Sequence, residues 1–234
     1  IALAALCLAL AIASPVFLTS SNFLNVFQQI SINFVVAVGM TFVIISGGID
    51  LSVGSMLCAL GAMLMYLLDE GNGPLAAMGL SGAPAYAVAI VLIMLAGVIM
   101  GLMNGALISY GKLPPFIATL GTMLVSRGIT AVVAEAVRGM SSAVKYPSTG
   151  WFQKTFTNLN GFPIGLVWVL GLTIICMIVM YKTKVGRYIL AIGSNEEAAR
   201  LSGINTDKYK IIAYVICSFF AAIAALFYVA ANPS

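Results

Sequence analysis

Residues 31–68 read SINFVVAVGMTFVIISGGIDLSVGSMLCALGAMLMYLL. As one uninterrupted helix this stretch would run about 57 Å, nearly twice the hydrocarbon thickness of a bilayer. Gly47-Gly48 and Asp50 fall in its middle. The stretch is therefore two spans or one broken helix, and in either form it belongs in a membrane.

Composition extends that reading to the whole chain. Hydrophobic residues make up 62% and charged residues 8% of the 234 positions, against about a quarter charged in a soluble domain. The 23 glycines suit helices that approach closely in lipid. Histidine is absent, which removes imidazole metal sites and the commonest general base. Cys7, Cys58, Cys176 and Cys217 each stand in an apolar run without CxxC spacing and read as small core hydrophobes. The formal charge of +4 is explained by membrane orientation, because the basic residues flank apolar runs; no nucleic-acid partner is expected. Ile1 already lies in such a run, so the chain is expected to be one transmembrane domain, 1–234, cut from a longer protein at both ends.

Seven apolar runs are expected to span: Ile1–Phe17, Ser31–Ser46, Leu51–Leu68, Ala85–Ser109, Pro115–Ala134, Ile164–Tyr181 and Ile211–Ala230. Turn signals separate them at Gly71-Asn72-Gly73-Pro74, Ser81-Gly82-Ala83-Pro84, Pro114-Pro115 and Gly161-Phe162-Pro163. The fold expected is all-α, a polytopic helical bundle. Lys112, Lys182, Lys184, Arg187, Arg200, Lys208 and Lys210 fall on one side, and Arg138, Lys145 and Lys154 on the other. Seven against three puts the 182–210 loop in the cytoplasm. Trp151, Trp168 and Tyr181 stand near span ends as interfacial anchors.

Two segments carry chemistry. In the first, Asp50 follows the glycine pair, and an acid there serves either as a helix cap accepting from amides two or three residues on, or as part of a transport path. The second runs Gly193-Ser194-Asn195-Glu196-Glu197-Ala198-Ala199-Arg200-Leu201-Ser202-Gly203. Ser194 and Glu197 have capping-box spacing and Gly203 is placed to end the helix. A helix of about two turns is marginal alone and needs a surface to dock on. It is either an interfacial turn or a coupling helix, with Glu196, Glu197 and Arg200 on a polar rim and Ala198, Ala199 and Leu201 packed underneath.

The Gly97, Gly101, Gly105 ridge is expected to pack against another helix. Asn104 beside it needs partners. Arg127, inside a span, either snorkels to water or pairs with Glu135 or Asp50. No phosphate-binding G-x-x-x-x-G-K-[ST] loop and no catalytic constellation occurs.

The segments GGIDLSVGS, LPPFIATLGTMLVSRGIT and GRYILAIGSNEEAARLSGIN closely resemble the ribose and related monosaccharide ATP-binding-cassette permeases, and the resemblance runs from Phe23 to the end. It implies a permease of roughly ten spans in the bacterial inner membrane, working as a dimer with cytoplasmic ATPase subunits and an extracytoplasmic solute-binding protein. ATP and Mg would sit on the ATPase, with no cofactor in this chain and no enzymatic activity of its own. Gly193 to Gly203 resembles the ATPase-docking region. Asp50, Asn104, Phe116, Thr119 and Arg127 are candidates for the translocation path. Branched-chain amino acids, nucleosides and furanone signals are carried by relatives of similar pattern, and an ion-coupled transporter using Asp50 or Glu135 is the rival mechanism.

Overall fold

The computed structural model describes residues 2–69, 73–138, 150–156, 162 and 164–231. Its regular elements are helices: α1 (Ala2–Ala13), α2 (Ser20–Ile45), α3 (Val53–Leu67), α4 (Pro74–Ala77), α5 (Gly82–Ser109), α6 (Pro115–Arg138), α7 (Gly150–Phe156), α8 (Ile164–Lys182), α9 (Lys184–Ser194), α10 (Glu196–Leu201) and α11 (Thr206–Ala231). Five of them, α2, α5, α6, α8 and α11, are long and apolar enough to cross a membrane. The other two expected spans fold as shorter apolar helices, α1 and α3. At about 22 Å, α3 does not cross the hydrocarbon alone.

The largest departure from the expected boundaries is at α2. It begins at Ser20, where Thr19 caps it by accepting from the Asn22 amide at 3.4 Å, whereas hydropathy placed the start at Ser31. Asn22, Asn25, Gln28 and Gln29 lower the apolar average without breaking the helix. Helix geometry tolerates them; only their solvation is in question.

α11 is the hub. It packs on α2, α3 and α5, and Ala213, Ala221, Ala222, Ala224 and Ala225 on it are fully buried. The glycine ridge of α5 meets it as expected. A Cβ on Gly101 would stand 2.7 Å from Val215 Cα and 2.8 Å from the Tyr214 carbonyl, and one on Gly105 2.7 Å from Ile211 Cα. Backbone cannot move aside as a side chain can, so both positions require glycine. Outward faces are apolar: Val91, Leu95 and Ile99 on α5, and Leu170, Ile174 and Ile178 on α8, are each more than half exposed. Their spacing of four marks one stripe per helix, the surface offered to lipid.

Pro115 opens α6, and the Pro114 carbonyl accepts from the Ile117 and Ala118 amides at 3.0 and 3.2 Å. Lys112 before it pairs with Asp207 at the start of α11, 3.0 Å apart, so two segments assigned to the cytoplasmic side share one end. Of the four thiols, Cys176 and Cys217 are buried as expected of core hydrophobes, while Cys7 and Cys58 lie on exposed apolar faces. Trp168 donates from Nε1 to the Thr155 carbonyl at 2.7 Å and stacks on Phe156. Lys145 and the side chains of Arg138 and Trp151 lie outside the described residues.

Candidate functional site: the α9–α10 end and the two polar regions

At its C-terminal end α2 stops at the glycine pair. Gly47 has φ +79, and the Gly48 amide donates back to the Val43 carbonyl at 2.9 Å. The positive φ is the left-handed conformation that lets a chain leave a helix, and glycine adopts it without penalty. Beyond the break, the Tyr214 hydroxyl of α11 donates to the Ile49 carbonyl at 3.2 Å.

Asp50 is buried, and its Oδ1 accepts from both the amide (2.9 Å) and the hydroxyl of Ser52. The carboxylate thus holds the turn that starts α3, accepting from the amide two residues on. Its Oδ2 has no hydrogen-bond partner among the described residues, and the Cys217 thiol, a weak donor, lies near the carboxyl. The network continues. Asn104 Nδ2 donates to Ser52 Oγ at 3.0 Å, Thr122 Oγ1 donates to Asn104 Oδ1 at 2.5 Å, and Ser126 Oγ to the Thr122 carbonyl at 2.8 Å. All five side chains are at most 2% exposed. The sequence singled out Asp50 and Asn104 separately; the fold joins them through Ser52 and extends the chain to Thr122 and Ser126 on α6, which sequence reasoning missed. Sequence separations of 52 and 18 residues leave no local signal of these pairings.

The other path candidates are not part of this network. The Thr119 hydroxyl donates to its own helix at the Pro115 carbonyl, 2.8 Å away, and Phe116 is 54% exposed. Arg127 lies on the rim of an open cavity of about 620 Å3 between α3 and α6. Neither Asp50 nor Glu135 pairs with it, and it has no carboxylate partner among the described residues.

The 182–210 loop differs in detail from the expected capping box. Before it comes an unforeseen helix, α9, capped by Thr183, whose Oγ1 accepts from the Gly186 amide, with Ile189 and Ile192 buried. Ser194 is the last residue of α9, and its hydroxyl donates to the Leu190 carbonyl at 3.0 Å. It is therefore occupied, and Asn195 caps α10 instead, its Oδ1 accepting from the Ala198 amide at 2.9 Å. Gly203, at φ +83, ends the helix as expected.

Glu196 accepts from Arg200 at 3.3 Å and from Lys210 of α11 at 2.6 Å, tying α10 to a membrane span. Ala199 packs underneath, but Ala198 and Leu201 do not: Ala198 is exposed and Leu201 is 85% exposed. At i, i+1 and i+4, Glu197, Ala198 and Leu201 face outward together. Gly193 sits so close to the Ile45 carbonyl at the end of α2 that a Cβ would overlap it. A cavity of about 160 Å3 joins the two regions, lined by Gly47 and Gly48 of the break, Glu196, Lys210 and Tyr214. Helices α9 and α10 therefore rest directly on the broken segment.

At the opposite end of α2 a second polar region appears. Asn25, Gln28, Gln29 and Asn33 line an open cavity of about 450 Å3 with Ile32, Tyr228 and Ala231. None of these was singled out from the sequence, although their spacing at i, i+3, i+4 and i+8 marks one helical face.

The sequence profile described as "Branched-chain amino acid transport system / permease component" matches residues 22–232. The chain belongs to this permease family. It is 37% identical over 222 residues to the ribose import permease protein RbsC of Escherichia coli K12, covering 93% of this chain and 64% of that protein. It is 36% identical to the protein of the same name in Haemophilus influenzae, over 97% and 66% of the two chains. A fructose import permease protein FruF of Bifidobacterium longum is 37% identical over 87% of this chain and 54% of its own length. This permease chain thus spans less than two thirds of the length of the relatives it matches. No solved structure matches it. With five span-length helices it is a multi-pass protein of the bacterial inner membrane.

Proposed function

We propose that this chain is the membrane-spanning part of an ATP-driven, binding-protein-dependent importer of a monosaccharide, ribose or a related sugar. The observation that carries the reading is α10, a capped six-residue helix too short to persist alone, locked to a membrane span through Glu196 and Lys210 yet presenting Leu201 to solvent. An isolated apolar side chain of that exposure on a rigid, charged-rimmed element suits a groove in a partner protein. Relatives named as ribose, fructose, galactose and allose import permeases support the solute class, although the profile that covers the chain bears the name of branched-chain amino acids.

In this reading the ATPase subunits hold ATP and Mg, since the chain has no phosphate-binding loop. They dock on Glu197, Ala198 and Leu201, with a second permease copy completing the path. Closure of the ATPase pair pushes α10, and the push passes through Gly193 and Lys210 to the Gly47-Gly48 break. Such coupling requires each partner to bind one conformation better than the other. Selection at high affinity then belongs to the extracytoplasmic binding protein.

The test is D-ribose uptake by membrane vesicles containing the full-length permease, its ATPase and its binding protein. Uptake should persist when ion gradients are collapsed and stop when ATP is withdrawn; the opposite pattern sinks the reading in favour of an ion-coupled transporter. Glu197→Arg should weaken association with the ATPase while leaving the unfolding temperature of the permease unchanged. Unchanged co-purification would remove α10 from the docking role.

A further inference from the structure

Four carboxamides on one face of a membrane helix need an explanation. α2 is about 39 Å long, and Asn25 and Asn33 stand about 8 and 20 Å from its first residue. With the basic 182–210 end in the cytoplasm, the face runs from the outer boundary to near the middle of the bilayer. Tyr228 and Ala231, at the far end of α11, border the same cavity.

Carboxamides that serve the architecture elsewhere are bonded: Asn22 donates to the Phe17 carbonyl at 2.8 Å, and Asn104 bridges Ser52 and Thr122. The side chains of Asn25, Gln28, Gln29 and Asn33 make no hydrogen bond to the described residues. An amide left without partners in hydrocarbon is costly, so this face meets something polar. Among the described residues the lining also contains no carboxylate, ammonium or guanidinium.

We infer that the face formed by Asn25, Gln28, Gln29 and Asn33, with Tyr228 and Ile32, is a recognition site for a neutral polyhydroxylated solute on the outer half of the path. Each carboxamide offers one acceptor oxygen and two N–H donors. A sugar hydroxyl both donates and accepts, so a mixed array fits it in many orientations, while a zwitterion or anion needs a countercharge that the described lining residues do not supply. Ile32 and the Tyr228 ring supply apolar surface for the C–H faces of a sugar ring. The open volume of about 450 Å3 lies within the range of small-molecule sites. With many weak bonds and no charge, the site lets solute pass rather than holding it. The solute class rests on the import function proposed above; the water-filled, solute-accessible nature of the face does not.

The experiment uses the full-length permease in intact cells, with Cys7→Ala and Cys58→Ala removing the exposed thiols. Single cysteines are placed at Asn25, Gln29 and Asn33, and at Ile30 and Phe34 outside the cavity lining, and each is labelled with a membrane-impermeant thiol reagent. The three on the carboxamide face should label, and the two controls should not. D-ribose at half occupancy should slow labelling about twofold, with leucine having no effect. Labelling absent from all three positions would show that the face is covered by another helix, and would overturn the inference. Labelling slowed by leucine but not by ribose would overturn the solute class. Because labelling needs neither ATP nor partners, ribose protection in a permease whose uptake proves ion-driven would keep this site and discard the ATP-coupled reading.

Discussion

The two polar regions of α2 and its neighbours are built from similar groups and treated in opposite ways. Past the C-terminal end of α2, Asp50, Ser52, Asn104, Thr122 and Ser126 are buried and bonded to one another across the break before α3, α5 and α6. Toward the N-terminal end of α2, Asn25, Gln28, Gln29 and Asn33 border an open cavity and bond to nothing described. Polar groups that satisfy one another fix the position of helices. Those left open keep their bonding capacity for something that comes and goes. The inner region is therefore read as the mechanical part of the permease and the outer region as the part that meets solute.

Substitutions can break or sharpen that contrast. Gly193→Val should have the largest effect, because its side chain would collide with the Ile45 carbonyl and backbone must move; about 3 kcal/mol of stability should be lost, seen as a fall in unfolding temperature in detergent. Asn104→Leu comes next. It breaks the two buried bonds that join Ser52 to Thr122, whose hydroxyls keep only their bonds to Asp50 and to the Ala118 carbonyl, and should cost about 1–3 kcal/mol. Glu196→Gln should cost under about 1 kcal/mol, since its pairs are partly exposed, yet should lower the ATP hydrolysis stimulated by solute. Asn33→Leu, the same chemical change as at Asn104, should alter stability by no more than about 0.5 kcal/mol while reducing solute uptake. Equal losses at Asn104 and Asn33 in the unfolding assay would erase the distinction between the two regions.

Much of this was legible in the chain itself. The glycine pair marked the break between α2 and α3, and the Gly97-Gly101-Gly105 ridge marked the contact that α5 makes with α11. Gly203 marked the end of α10. The cap of that helix was misread by one residue because Ser194 and Asn195 are both good cap formers, and the choice depends on Ser194 first completing α9. The side of α10 that faces inward depends on where α9 and α11 lie, so Leu201 was expected underneath and is outside.

The outer carboxamide face was hidden for a different reason. Averaged hydropathy leaves Asn25 to Gln29 outside the span that starts at Ser31, when only the spacing of those residues shows that they share a face. Pairings such as Ser52 with Asn104 come from tertiary packing, and no local pattern announces them.

The central claim is that α10 couples this permease to a separate ATPase for solute import. It is tested most directly by expressing the full-length permease with its chromosomal neighbours, purifying it, and measuring ATP hydrolysis with and without the binding protein and D-ribose. The account predicts a stable complex with an ATPase, hydrolysis that rises only when loaded binding protein is added, and loss of that complex in Glu197→Arg. A permease that purifies alone and moves solute without ATP would contradict it.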